Sequence, residues 1–166
     1  VAFDPTNGNK AYAASGDKGF TAGFYRSTDA GATWTQSNTG LATAQIARIQ
    51  FDISRSSPST IYAIVYNSSS TFGGRKTAVF KSINSGDNWT QIATGSNVAG
   101  SYNGTDVDDQ GWYDLTVAVH PANSSVVLLG NLEVSRSTDG STFSFVRNPM
   151  GLKGGIGAWD SYVHVD

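Results

Sequence analysis

One octapeptide recurs along this chain of 166 residues and constrains its fold more than any other feature. Its copies are Ser27–Trp34, Ser82–Trp89 and the shorter Ser137–Phe143, and they begin 55 residues apart in both intervals. Short runs rich in Val, Ile, Tyr, Phe and Thr surround each copy, and Gly, Asn, Asp, Ser and Pro separate them, which is typical of strands joined by turns. A unit that repeats at this period buries its apolar faces by stacking on its neighbours.

A second pattern precedes each octapeptide and completes the repeat, at residues 1–13, 49–63 and 117–128. Together the two patterns predict four antiparallel strands in about 50 residues, which is the size of a β-propeller blade. We therefore expect an all-β chain of three consecutive four-stranded antiparallel blades. They are predicted at residues 1–37, with its first strand truncated, at 45–93 and at 112–147. Residues 160–166 read as the first strand of a further blade, so the chain is interpreted as part of a larger ring.

The octapeptide resembles the Asp box of bacterial neuraminidases and BNR-repeat propellers. In such a turn an Asp or Asn side chain accepts backbone N–H groups, a glycine adopts a left-handed conformation, and an aromatic ring covers the turn. The first copy has the full pattern, whereas the second has Asn84 and Asn88 in place of Asp and Thr. We expect these residues to be structural rather than catalytic: Ser27, Asp29, Gly31, Trp34, Ser82, Asn84, Gly86, Trp89, Ser137, Asp139 and Phe143.

A finer resemblance rests on Gly111–Asp114 and Val163–Asp166. Both match segments of long secreted propeller proteins of Bacteroidota-like bacteria, which are similar to, but distinct from, xyloglucanases and sortilin-type propellers. The resemblance implies a secreted or cell-surface location and supplies no activity.

In the enzymes that the octapeptide resembles, the ligand site lies on the rim opposite the Asp boxes. Two long segments of this chain are expected there, and they carry Trp112-Tyr113-Asp114 and Trp159-Asp160. An aromatic ring beside a carboxylate is suited to holding a sugar ring. The alternative is that Trp112 and Trp159 wedge between blades. Arg48 is an unusual charge within an apolar strand and is expected to reach into the central channel.

His164 and Asp166, two residues apart on a predicted strand, point to the same face. They are candidate ligand-binding residues, and metal ligation, acid/base chemistry and simple channel lining all stay open. No metal site is predicted, because no third ligand is visible. Asp106, Asp108 and Asp109 have the composition of a Ca²⁺ loop, but the distal Glu of such a loop is missing, so an acidic solvated loop is favoured over a cofactor.

Composition excludes several classes of function. A net charge of −2 argues against a nucleic-acid partner, and no apolar run is long enough to predict membrane insertion. The absence of cysteine excludes disulfides and thiolate nucleophiles. Arg26 and Arg136 are expected on the outside of the blades, so the three-arginine cluster of a sialidase is not predicted.

The leading hypothesis is a secreted or cell-surface module that binds a glycan or protein ligand through the rim opposite the octapeptides. The first alternative is an inverting glycoside hydrolase with Asp114 as the base and Asp160 as the acid. If Asp114 and Asp160 are not catalytic, both are expected to cap backbone N–H groups of their loops. The second alternative is a structural element whose open faces dock the remaining blades of the same or another chain.

Overall fold

The structure, a computed structural model, describes residues 1–16, 21–41, 45–69, 71–72, 74–95, 98, 101–102, 105–106, 111–131 and 134–146. These residues form three four-stranded antiparallel sheets whose strands follow one another in chain order. The prediction of an all-β chain with three such units is therefore confirmed. The predicted strand at residues 160–166 lies outside the described residues.

The bounds of the strands are as follows. The first sheet contains β1 (Ala2–Asp4), β2 (Asn7–Ser15), β3 (Gly23–Ser27) and β4 (Thr35–Gln36). The second sheet contains β5 (Ile46–Ile53), β6 (Ile61–Asn67), β7 (Thr77–Ser82) and β8 (Thr90–Thr94). A short hairpin of β9 (Ser101–Tyr102) and β10 (Thr105–Asp106) follows, within a segment that the sequence predicted to be loop. The third sheet contains β11 (Thr116–Val119), β12 (Val127–Gly130), β13 (Val134–Ser137) and β14 (Ser144–Phe145).

The second sheet packs between the other two, which explains the apolar run of β6. Every residue of β6 is buried. Apolar residues at its odd-numbered positions belong to the core shared with the first sheet, and those at even positions to the core shared with the third. Because side chains alternate along a strand, a strand covered on both faces is apolar at consecutive positions rather than alternate ones.

Aromatic rings fill the core between the first and second sheets. Phe24 is fully buried, with the Trp89 ring 4.8 Å away and the Phe51 ring 5.2 Å away, both edge-on. The indole N–H of Trp89 also donates to the backbone oxygen of Ser37 at 3.1 Å. The second octapeptide is therefore anchored on the preceding sheet as well as on its own.

The junction between the second and third sheets uses polar groups at its edges. The Asp52 carboxylate accepts the backbone N–H of Val119 at 2.6 Å, and the Tyr62 hydroxyl donates to the Ser124 oxygen at 2.9 Å. Hydrogen bonds to a charged acceptor are stronger than those between neutral groups, so Asp52 ties the two sheets together.

A ring that covers a blade turn is expected to be buried, but the ring of the first octapeptide is not. Trp89 and Phe143 are each 4 % exposed, but Trp34 is 38 % exposed. The Trp89 and Phe143 rings pack on the sheet that precedes their own. No described residues form a sheet before the one that carries Trp34. The Trp34 ring still lies beside its own turn, close to Gly31.

All octapeptide turns lie at one end of their sheets, with the turns between the first and second strands. Ala30 donates its N–H to the Asn9 oxygen at 2.9 Å, and Ser85 does the same to Ser59 at 2.8 Å. In an antiparallel sheet the other connections reach the opposite end. We call that end the loop rim. No helix in the described part of the chain has the length and apolar character needed to span a membrane.

Candidate functional site

Two adjacent aromatic side chains stand exposed at the loop rim. Trp112 is 61 % exposed and Tyr113 is 52 % exposed, and their ring centroids lie 5.5 Å apart at an interplanar angle of 50°. Such exposure is not that of a ring wedged between two sheets. The two rings form an exposed aromatic surface at the loop rim.

The loop that carries these rings is seated on the second sheet. A Cβ at Gly111 would lie 2.5 Å from a ring carbon of Tyr66, closer than side-chain atoms approach in proteins. Only glycine therefore lets the backbone come this close to the buried Tyr66 ring. The close approach fixes where the chain turns outward and presents Trp112.

Arg48 supports the same loop from β5. It pairs across the strands with Tyr66, and its Nη1 donates to the backbone oxygen of Trp112 at 3.4 Å. Its Nε is buried and makes no hydrogen bond to the described residues. Arg48 was expected to reach into the central channel. In the structure its guanidinium contacts the aromatic loop, 64 residues away in the chain.

Asp114 follows the aromatic pair. The third blade was predicted to begin at residue 112, but its first strand, β11, begins at Thr116, and Asp114 and Leu115 connect that strand to the turn at 111–113. Asp114 is half-buried, and its Oδ2 is inaccessible to solvent.

Trp159, Asp160, His164 and Asp166 all lie outside the described residues. The predicted pairing of Asp114 with Asp160, the sugar-holding role of Trp159 and the roles of the other two therefore stay predictions.

The calcium prediction also remains open. Asp106 lies on β10, whereas Asp108 and Asp109 are outside the described residues. Within the described ranges, no three His, Cys, Asp or Glu side chains are grouped as a metal site requires.

Hydrogen bonds within the first octapeptide close its turn. Asp29 accepts the backbone N–H of Thr33 at 2.8 Å and the hydroxyl of Ser27 at 2.7 Å. The Ser27 hydroxyl oxygen in turn accepts the N–H of Gly31 at 2.8 Å. These contacts occupy the carboxylate with the groups of its own turn.

The other two copies repeat this pattern with local changes. Asn84 accepts the N–H of Asn88 at 3.0 Å and the Ser82 hydroxyl at 2.9 Å, so the amide oxygen takes the place of the carboxylate. In the third copy, Asp139 accepts the backbone N–H of Ser141 at 2.8 Å and that of Thr142 at 2.7 Å. These donors are two and three residues away because the turn is one residue shorter. Ser137 donates to Asp139 at 3.0 Å.

The first turn carries a charge that depends on these bonds. Hydrogen bonds from the Thr33 side chain and backbone and from Ser27 lower the pKa of Asp29 to about 2. Donors from Thr142 and Ser141 likewise hold the pKa of Asp139 far below its usual range. Both groups stay charged at any ordinary pH, and neither has the raised pKa of a general acid.

We expect Asp29→Asn to weaken the acid sensitivity of the fold. Because the Asp29 pKa is lower in the folded chain, its stabilising contribution is present above about pH 4 and is lost as the pH falls towards 2. Asn84 shows that an amide closes the same turn without titrating. Melting temperatures of both proteins between pH 6 and 2 should show a smaller acid loss in Asp29→Asn. Parallel curves would contradict this account, and adding Asp139→Asn should flatten the profile further.

The sequence missed the role of the cation before each octapeptide. Arg26, which was expected on the outside of the blade, is half-buried and forms an ion pair of 2.5 Å with Asp87 of the next sheet. The signal was present, since Arg26, Lys81 and Arg136 occupy the same position in the three repeats. A repeated cation next to a repeated turn indicates a repeated contact.

Solved structures that match most of this chain give the fold a name. A GH74 enzyme from Niastella koreensis matches 89 % of this chain with a TM-score of 0.59 and 21 % identity. An ancestral GH74 enzyme matches with the same TM-score, identity and coverage of this chain. The three sheets are blades of a β-propeller. The chain spans about a fifth of each of these proteins, 21 % and 18 % of their lengths.

Other comparisons add no relative. No family model matches the chain, and no curated protein matches it. At 21 % identity the likeness to the GH74 enzymes shows the propeller fold alone.

Proposed function

We propose that this propeller segment binds a glycan through the exposed Trp112–Tyr113 pair at the loop rim. The observation that carries the proposal is the exposure of two neighbouring rings on a loop held by Gly111 and Arg48. A flat ring face suits the apolar face of a pyranose. The GH74 description of the fold neighbours supports a glycan over a protein ligand.

The preformed support of the loop favours binding over a passive role. A loop whose backbone is already held in place loses little conformational entropy when a ligand arrives. The low charge, with 14 % of residues charged, suits a neutral polysaccharide. We propose a secreted or cell-surface location on the same composition, which is common among exported β-proteins.

A second candidate function is glycoside hydrolysis at the same rim. The observation that favours it is the half-buried carboxyl of Asp114, the residue that follows the two aromatic residues in the chain. An inverting enzyme needs a second carboxyl about 6.5–9.5 Å away, which Asp160 would supply in this proposal.

Retardation in gels containing a soluble polysaccharide tests the proposal. With xyloglucan and hydroxyethyl cellulose as probes, we expect the 166-residue chain to be retarded by at least one of them. Trp112→Ala and Tyr113→Ala should each weaken the affinity about tenfold. Ile83→Ala is the matched control, because Ile83 is 70 % exposed but lies in an octapeptide turn at the opposite end.

Two outcomes would overturn the binding role. Equal retardation of all variants would show that the aromatic pair is not the site. New reducing ends in the polysaccharide, lost in Asp114→Asn, would replace binding by hydrolysis as the function of the rim.

A further inference from the structure

The first two residues of β2 are an Asn-Gly pair that lies at the surface of the first blade. Asn7 and Gly8 are both exposed to solvent. Asn7 pairs with β1, but the next residue of β2 that pairs with a neighbouring strand is Ala11. The peptide nitrogen of Gly8 therefore lies in an exposed stretch outside the paired register of the strands.

A hydrogen bond holds the Asn7 side chain across this nitrogen. Asn7 Oδ1 accepts the backbone N–H of Asn9 at 3.0 Å. An Asn that binds the N–H two residues ahead forms an Asx-turn, in which its side chain follows the path of a backbone turn. The peptide enclosed by this turn is the one that joins Asn7 to Gly8. The amide carbon of Asn7, Cγ, is thus held beside the Gly8 nitrogen.

The same hydrogen bond makes Cγ a better electrophile. A donor about 2.7–3.1 Å from a carbonyl oxygen stabilises the negative charge that develops there when the carbon is attacked. The Asn9 N–H lies at 3.0 Å from Oδ1, within this range. Gly8 adds no hindrance, because it has no Cβ, and even a Cβ built there would meet nothing within 4 Å. Electrophile, nucleophile and space are therefore together in one exposed turn.

We propose that Asn7 is a site of spontaneous deamidation that the fold itself assists. The Gly8 nitrogen gives up its proton to solvent and attacks Cγ, and the new N–C bond closes a five-membered succinimide ring. The bond from Cγ to the side-chain nitrogen breaks, and this nitrogen takes up a proton and leaves as ammonia. Water then opens the ring at either carbonyl and leaves aspartate or isoaspartate at position 7.

The product places a new charge beside a carboxylate that closes the preceding turn. Asp4 is buried, and its Oδ1 accepts the N–H groups of Thr6 at 2.8 Å and Asn7 at 3.1 Å. Isoaspartate also lengthens the backbone by one carbon at the residue that pairs with Asp4. The modification therefore alters the end of the ladder between β1 and β2.

Peptide mapping by mass spectrometry tests the proposal on the 166-residue chain, incubated at pH 8 both folded and unfolded in urea. We expect the peptide that contains Asn7 to gain about 1 Da, at least as fast in the folded chain as in urea. Gly8→Ala should slow this gain by about tenfold or more, because its Cβ hinders the attacking nitrogen. The open space around Gly8 means that this variant should keep the melting temperature of the parent.

Asn123 is the matched control within the same chain. It is exposed and forms the same turn, since its Oδ1 accepts the N–H of Ser125 at 2.9 Å, but Ser124 follows it instead of glycine. Asn123 should stay intact while Asn7 reacts. Residues 103–104 are a second Asn-Gly pair, and their own peptide is followed separately. Slower reaction at Asn7 in the folded chain than in urea would overturn the proposal. So would equal rates at Asn7 and Asn123, or a Gly8→Ala chain that reacts like the parent.

Discussion

Replacing Trp89 by alanine is expected to lower the free energy of unfolding by about 3–5 kcal/mol, the range for truncating a buried aromatic ring. The ring is 4 % exposed and packs edge-on against Phe24 at 4.8 Å. Removing the ring also removes the indole N–H, so the Ser37 oxygen loses this donor. Since Trp89 joins two blades, its loss opens a cavity in the core that both share. Urea denaturation followed by fluorescence and circular dichroism measures the change.

Trp34→Ala is the matched control, because the same residue occupies the same octapeptide position. Trp34 is 38 % exposed and has no neighbouring blade among the described residues. We expect a loss of less than half that of Trp89→Ala, since much of the ring is in water in the folded state. Equal losses would show that the ring stabilises its own turn rather than the junction.

Gly40→Ala is the second substitution expected to have a large effect. Gly40 has a φ of +84°, and a Cβ there would overlap the backbone oxygen of Trp89. A hydrogen bond of 2.8 Å from the Trp89 N–H to the Thr39 oxygen joins the same two backbone segments. The Trp89 backbone oxygen lies in a packed junction and cannot shift by itself. The Gly40→Ala substitution must therefore move the two blades apart. We expect a loss of several kcal/mol, measured by the same urea denaturation.

Gly74→Ala isolates the clash from the backbone strain. Gly74 has a φ of +87°, but a Cβ there would meet nothing within 4 Å. This substitution should cost only the strain of a left-handed residue, about 1–2 kcal/mol. The difference between the two variants is then the cost of the contact with Trp89. A Gly40→Ala loss no larger than that of Gly74→Ala would show that the junction yields at this point.

The three sheets could be predicted because each repeat carries its own turn chemistry. Ser27 and Asp29 bind groups that lie within four residues of them. Such bonds form between neighbours in the chain, so the recurring octapeptide locates them directly.

The candidate site could be predicted only in part. Trp112 and Tyr113 stood out as aromatic residues outside the octapeptides, and the structure places them exposed at the loop rim. Their support was not visible, because Arg48 and Tyr66 reach them from another blade. The predicted partners from residue 159 onwards lie outside the described residues.

What the sequence determined by itself was the presence of the three described blades, their four-stranded form and the chemistry of their turns. Tertiary structure alone decided which equivalent residues are buried. Trp34 and Trp89 are the same residue in the same motif, yet among the described residues only the Trp89 ring packs against a neighbouring blade. Arg26 and Arg136 differ in the same way. Hydrogen bonds within a turn depend on residues a few positions apart, whereas burial depends on what packs against the sheet, and that neighbour is one whole repeat away along the chain.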